Sequence, residues 1–364
     1  MNVVTDRART AWILHVDLDQ FLASVELQRH PELVGLPVIV GGNGDPTEPR
    51  KVVTCASYEA RRFGVHAGMP LRAAARRCSA AIFLPSDPAA YQAASDRVME
   101  VLRGLGHPVE VAGWDEAYVG AQVACLQEAF ELARQVRGLV TAATGLSCSV
   151  GISDNKQRAK VATGFAKPAG IHALTEDNWM STMGDLSVEA LWGVGPKTTK
   201  KLAAIGITTV SDLASTDPSV LRSAFGPGTG LWILLLAKGG GDTTVSTEPW
   251  VPRSRSHVVT FDRDLTDRAE MDAAVVQLAR RTLAEVIEQQ RVVSRVAVTV
   301  RTSSFYTRTK IRKLPFPTVV AESVVSTALD VLDRFDLDRP VRLLGVRLEL
   351  VPADDRSGAV TPAD

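Results

Sequence analysis

The chain has 364 residues, more than one hydrophobic core usually holds, so two or more domains are expected. Apolar residues make up 45% and charged ones 23%, a balance that excludes an intrinsically disordered chain. Basic and acidic residues number 41 each, so the total charge does not point to nucleic acid and any basic footprint has to be local.

In chain order, Trp12 to Glu26 (WILHVDLDQFLASVE) reads as an apolar strand that passes two aspartates and enters an amphipathic helix at Phe21 and Leu22. A strand repeats every two residues, so Asp17 and Asp19 are expected on one face and Leu18 on the other. Leu36 to Val40 predicts a strand, GGNGDPTEPRK a loop and VVTCA a second strand. Two short helices over Ser57 to Phe63 and Leu71 to Cys78 follow, then a brief strand over Ile82 to Leu84. From Asp87 to about Leu174 the pattern is helix, strand, strand, helix, strand and a helix that stops before Lys167-Pro168. Within it, GWDEAYVG sets Asp115 and Glu116 between the β-type runs Val109 to Ala112 and Ala117 to Val119, which suits a hairpin apex.

Residues 175–241 are expected to be mainly helical. Gly193-Val194-Gly195 separates a short helix from one over Lys197 to Ile205, the form of a helix-hairpin-helix whose amides can hold a phosphate. Lys197, Lys200 and Lys201 support that reading, a solvated charged face being the alternative. Gly239 to Pro252 reads as a linker. The last unit reads strand (His257 to Phe261), helix (Asp267 to Gln289), strands (Val292 to Arg301, Arg308 to Leu314), helix (Thr318 to Arg334) and strand (Val341 to Leu350), a split βαββαβ. Its hairpin carries Arg291, Arg295, Arg301, Arg308, Lys310, Arg312 and Lys313, with no acidic residue from Arg291 to Val320. Seven uncompensated cations predict phosphate binding, although charge also protects an edge strand.

Asp17, Asp115 and Glu116 thus converge, at a cost in repulsion unless a cation neutralises them; hard Mg²⁺ with oxygen ligands suits such a set. Helix caps and surface turns are the alternative for either motif alone. Cys55, Cys78, Cys125 and Cys148 are scattered without a CxxC pair, so free thiols are expected. His15, His66, His107, His172 and His257 have no spacing that indicates a metal or a base. The start MNVVTDRARTAW lacks an apolar run behind a basic cap, and Leu231 to Ala237 is too short to span a bilayer, so no membrane association and a cytoplasmic location are expected.

HVDLDQFLASVE with GWDEAYVG resembles the catalytic palm of the Y-family DNA polymerases, nearest the DinB or DNA polymerase IV branch. CASYEARRFGVHAGMP, VGISDNKQRAKVATGFAKPAG, LWGVGPKTTKKLAAIGI and VRLLGVRLEL extend the likeness over about residues 10–351. The resemblance implies an α+β right-hand polymerase: palm (1–20 and 87–174), small fingers (21–86), helical thumb with a helix-hairpin-helix (175–241), linker (242–252), βαββαβ little finger (253–351) and polar tail (352–364). It implies a monomeric, low-fidelity translesion enzyme, a mutator that adds nucleotides to a primer on template DNA with two Mg²⁺ ions, Mn²⁺ able to substitute. Asp17, Asp115 and Glu116 with the Leu18 carbonyl would hold the ions, Asp19 standing behind them. Tyr58, Arg61 and Lys167 would contact the triphosphate, Cys55 standing where relatives carry a threonine. Leu22 occupies the sugar-gate position, where relatives carry phenylalanine or tyrosine, so relaxed selection between dNTP and rNTP is expected, unless Phe21 or the backbone closes the gap. Gly193, Gly195, Lys197, Lys200, Lys201, Arg295, Arg301, Arg308, Lys310 and Arg312 would contact DNA. The tail PADDRSGAVTPAD has no bulky anchor beyond Val360, so it is not expected to dock on a sliding clamp. A nucleotide cyclase also sets two aspartates on such a sheet but has no use for the last two units, and a non-catalytic DNA-binding factor would lack carboxylates that are present here.

Overall fold

Alternation along one strand organises the first unit. In the computed structural model, which describes residues 12–352, β1 (Trp12–Leu18) is the centre of a five-stranded sheet. It runs into α1 (Phe21–Arg29), followed by β2 (Val38–Val40), β3 (Cys55–Ala56), α2 (Tyr58–Arg61), α3 (Leu71–Arg77) and β4 (Ile82–Leu84). Then come α4 (Pro88–Arg103), β5 (Val109–Val111), β6 (Glu116–Ala121), α5 (Leu126–Thr144), β7 (Cys148–Ser153), α6 (Lys156–Ala166) and β8 (Ile171–Ala173). The sheet order is β5-β6-β1-β7-β8, with β1 antiparallel to both neighbours. Leu14, Val16 and Leu18 of β1 bury into the main core with residues of α4 and α5. The alternate residues Ile13, His15 and Asp17 meet α6 and Lys167 just beyond it.

The α6 helix packs close because residue 151 is glycine: a Cβ there would lie 2.0 Å from the Ala159 carbonyl oxygen and 2.4 Å from the Thr163 nitrogen. A separate small sheet, β3-β2-β4, has its own core of Ile39, Ala60, Val65, Leu71 and Ala74, whereas Phe21, Ala23 and Val25 of α1 join the main core. The helical stretch comprises α7 (Glu176–Met183), a 3₁₀ turn at Val188–Ala190, α8 (Pro196–Ala203), α9 (Val210–Ser215), α10 (Pro218–Phe225) and α11 (Pro227–Ala237) around Trp179, Leu202 and Leu221.

The second unit, from Pro249, comprises β9 (Ser254–Leu265), α12 (Arg268–Glu288), β10 (Val293–Thr302), β11 (Thr307–Thr318), α13 (Ala321–Leu332) and β12 (Val341–Leu350). Its antiparallel sheet has the order β11-β10-β12-β9, and Val296, Val298, Val300, Leu344, Val346 and Leu348 bury against the two helices.

Four expectations change. β8 was not expected, because three residues are too few for a periodic signal. VVTCA is a strand only at Cys55–Ala56, and the short helix before Gly193 is a single 3₁₀ turn. The expected linker is fastened to the first unit over its first half: Lys156 N–H donates to the Asp242 carbonyl at 2.8 Å, Asn155 Nδ2 to the Gly239 carbonyl at 2.9 Å and Ser246 N–H to Glu110 at 2.7 Å. Lys156 also pairs with Glu110 and Asp242, and Val245 is buried. Apart from Pro352, the polar tail lies outside the described residues. Among the described residues no helix is long and apolar enough to cross a membrane.

Candidate active site

Asp17 of β1 lies opposite Glu116 of β6 in the sheet register. Asp115 precedes Glu116 at the β5–β6 hairpin apex, where the Glu116 carbonyl accepts from the N–H groups of Ala112 and Gly113. The hairpin is tied to the end of β1 by Leu18 N–H donating to the Asp115 carbonyl at 2.8 Å. The three carboxylates thus meet where β1 ends.

Asp19 does not share their face, because β1 ends at Leu18. It turns into the protein and is 3% exposed. Its carboxylate accepts from Tyr58 Oη (3.0 Å), Ser149 Oγ (2.8 Å), Ser147 Oγ (2.8 Å) and Ala169 N–H (3.0 Å).

Two lysines neutralise two of the three carboxylates. Lys167 pairs with Asp17 and Lys160 with Glu116. The His15 ring, 3.3 Å from Glu116, and then Lys160 hold the Glu116 carboxyl down at about 2. Burial lowers the pKa of His15 itself, so the ring is neutral and the positive charge on Glu116 is that of Lys160. His15 Nδ1 is hydrogen-bonded with Thr163 Oγ1 at 2.8 Å, and its Nε2 stands 3.4 Å from Lys160 Nζ. Burial first, and then the charge of Asp17, raises the Asp115 carboxyl above its ordinary value.

A cavity of about 470 Å³ opens beside this cluster. Leu18, Phe21, Leu22, Cys55, Arg61, Asp115 and Lys167 line it, whereas Asp17, Glu116 and Tyr58 are not among the lining residues. Phe21 is 3% exposed and counts with the core, while Leu22 is half-buried. Tyr58 and Arg61 sit together, the guanidinium 5.0 Å from the ring centre. The Tyr58 hydroxyl donates to Asp19, and Arg61 Nε donates to the Ala56 carbonyl at 2.9 Å.

The candidate DNA contacts lie apart. Gly193 has φ +95°, and Gly195 precedes α8 without a side-chain cap on the helix N-terminus. Lys197, Lys200 and Lys201 are exposed, and Lys201 stands 4.6 Å from the Phe225 ring centre.

In the second unit the seven cations are not one uncompensated footprint. Arg291 is buried and holds the carbonyls of Pro252 and Val351. Arg312 pairs with Asp330, and Lys310 donates to the Arg334 carbonyl and lies over Phe335, all on the helix side. Arg308 follows their alternation along β11. Arg295, Arg301 and Lys313 occupy the other face with Arg347, Arg295 lying 3.7 Å from Glu349. Pleating divides what the linear sequence groups together.

His15, Lys160 and Thr163 were not singled out by sequence. The available signals were the two-residue offset of His15 from Asp17 on β1, and the spacing of Lys160, Thr163 and Lys167 along one face of α6 and its end.

A palm sheet carrying three carboxylates, small fingers, a helix-hairpin-helix thumb and a βαββαβ domain define a right-hand polymerase. The sequence matches the impB/mucB/samB family over residues 16–164, its C-terminal domain over residues 252–360, and the DNA polymerase-iota thumb domain over residues 189–240. DNA polymerase IV 2 of Mycobacterium tuberculosis (strain ATCC 25618 / H37Rv) is 68% identical over 343 residues, covering 94% of this chain and 99% of that protein. DNA polymerase IV of Methanoculleus marisnigri is 36% identical over 341 residues, covering 93% and 94%. Among solved structures, the Y-family DNA polymerase chimera Dbh-Dpo4(243-245)-Dbh aligns with TM-score 0.81 at 25% identity, over 93% of this chain and 98% of that one. The insertion ternary complex of Dbh DNA polymerase aligns with TM-score 0.65 at 25% identity, over 93% and 99%. The chain belongs to the DinB, or DNA polymerase IV, branch of the Y-family and is a DNA-directed DNA polymerase of the translesion type.

Proposed function

We propose that this polymerase extends a primer on template DNA by two-metal nucleotidyl transfer and selects weakly between deoxyribo- and ribonucleotides. The observation that carries the reading is the convergence of Asp17, Asp115 and Glu116 at the end of β1, beside a cavity lined by Leu22. The donor set fits two Mg²⁺ ions: three hard carboxylates, one of them desolvated beside a like charge, with the Leu18 carbonyl as a further oxygen ligand. Mn²⁺ can substitute. Asp17 and Asp115 would bridge both ions and Glu116 would hold the one on the primer side. Bound there, the ions would supply charge stabilisation for the attacking and leaving oxygens.

The chain's own groups do the positioning. Lys167, which pairs with Asp17 and lines the cavity, would contact the triphosphate. Arg61 keeps its terminal guanidinium nitrogens for the same phosphates while Nε anchors on Ala56. Tyr58 contributes its hydrogen only by releasing Asp19. Cys55, buried at the cavity wall, offers a thiol in place of a hydroxyl donor, a weaker hydrogen bond. Gly193, Gly195, Lys197, Lys200 and Lys201 would hold primer-template phosphates, and the face bearing Arg295, Arg301 and Lys313 would lie along the duplex without reading sequence.

Leu22 is the specificity element. A leucine beneath the sugar is short and flexible, and an apolar pocket with room for one extra hydroxyl rejects it by about a hundredfold or less. Phe21 packs with the core and is 3% exposed, although it also borders the cavity. Single-nucleotide kcat/KM for dATP and ATP, in wild type and Leu22→Phe, tests this, with Asp115→Ala as the inactive control. Leu22→Phe should depress ATP use and spare dATP. A wild-type preference for dATP above about ten-thousandfold, unaltered by the substitution, excludes Leu22 as a relaxed gate.

A further inference from the structure

Glu116 already carries a cation supplied by the protein. Lys160 reaches it from α6 with its side chain mostly buried, pairs with Oε2 of Glu116, and stands 3.4 Å from His15 Nε2 and 5.5 Å from the Trp192 ring centre. The surroundings of that ammonium are anchored independently of one another. His15 is fully buried and held by Thr163. The carbonyl of Trp192 accepts from Gln157 Nε2 at 2.9 Å, and its ring is half exposed. The helix itself is pressed onto the sheet at Gly151.

Ligand atoms of His15, Asp17 and Glu116 lie within 4.8 Å of one another, close enough to surround a metal ion. Oε2 of Glu116 faces both His15 Nε2, at 3.3 Å, and the Lys160 ammonium. A divalent ion arriving at Glu116 therefore meets an ammonium on the same oxygen, and like charges at such a distance in a partly desolvated site repel.

We propose that Lys160 is a positioning residue that acts as a placeholder cation, holding Glu116 in place until the primer-side metal arrives and then yielding that oxygen to it. The inference rests on the two-metal reading above. Because the ion must displace Lys160, the free enzyme binds metal weakly at this position, and firm binding awaits the charges of primer and nucleotide. The Trp192 face, already beside the ammonium, receives it on displacement through a cation–π contact.

Mn²⁺ binding to the full chain without DNA, followed by electron paramagnetic resonance of the free ion, tests the proposal in wild type, Lys160→Met, Lys160→Arg and Glu116→Gln. Lys160→Met should bind Mn²⁺ at least about tenfold more tightly, the gain from removing one positive charge about 4 Å from a divalent ion even at a dielectric near that of water. Lys160→Arg keeps the charge and should stay near wild type, and Glu116→Gln should bind more weakly. Unchanged or weaker binding by Lys160→Met overturns the placeholder. Wild-type binding by Glu116→Gln overturns the metal reading itself, so the two failures are distinguishable. The second measurement uses the wild-type fold: Mg²⁺ should alter tryptophan emission, and Trp192→Phe should abolish that change. An absent response, or one that survives Trp192→Phe undiminished, overturns the displacement of Lys160.

Discussion

Asp19→Ala should be among the most damaging single changes in the first unit, although Asp19 lies outside the proposed metal set. Its carboxylate is 3% exposed and accepts four hydrogen bonds, from α2, from Ser147 just before β7 and Ser149 within it, and from the loop after α6. A hydrogen bond to a charged acceptor contributes about 1.5–3 kcal/mol, so four contribute roughly 6–12 kcal/mol before the desolvation of the carboxylate, several kcal/mol, is set against them. Truncation also leaves three hydroxyls and an amide without their acceptor, and the net loss should be about 4 kcal/mol. Asp19→Asn should cost far less, about 1–2 kcal/mol. With its oxygen toward Ala169 N–H and Ser147, its amide can donate to Ser149 and Tyr58, whose hydroxyls rotate to accept. Equilibrium urea unfolding followed by tryptophan fluorescence measures both; Asp19→Ala should lower the midpoint by more than about 1 M. A cost below about 1 kcal/mol for Asp19→Ala, or equal costs for the two variants, would refute the network argument.

Two further outcomes follow from the same geometry. Replacing Arg295, Arg301 and Lys313 together by alanine should flatten the salt dependence of duplex binding by about 3 in log–log slope, whereas the Arg308, Lys310 and Arg312 triple should leave the slope within about one unit and lower the stability of the second unit instead; equal slopes would contradict the division by face. Glu116 titrates at about 2 in the fold against an ordinary 4.5, so its contribution is complete above about pH 4.5 and is lost as pH falls towards 2. Wild type should therefore lose roughly 2 kcal/mol more than Glu116→Gln between pH 7 and pH 3, checked by urea unfolding at both pH values; parallel losses would remove Lys160 and His15 as the cause of the shift.

The carboxylates were legible in sequence because their signals are local: a two-residue period ending at Leu18, and an acidic pair at a turn between two β-type runs. The partners of those carboxylates were not. Lys160 is 44 positions from Glu116 and 145 from His15, and the two-residue offset of His15 from Asp17 sets the ring on the carboxylate face without showing that it meets Glu116. The basic hairpin misled for the opposite reason. Counting charges along the chain conceals that adjacent residues of a strand face opposite ways, and that Asp330 and Glu349 come from other elements. Residues 239–246 have the composition of a flexible connection, yet Asp242 and Ser246 find Lys156 and Glu110, which only the folded sheet brings to them.

Gly151 carries a consequence for anyone who would stabilise this enzyme. Replacing glycine by alanine commonly gains about 0.4–1 kcal/mol by restricting the unfolded chain. Here the added methyl group would overlap backbone atoms of α6 at 2.0 and 2.4 Å, and the helix would have to lift off the sheet. Lys160 and Lys167 ride at the middle and the end of that helix, so both ammonium groups would retreat from their carboxylates together. One absent methyl group acts as the spacer that calibrates the charge on both sides of the catalytic centre, and a gain in rigidity at this position would be read out as a detuned active site.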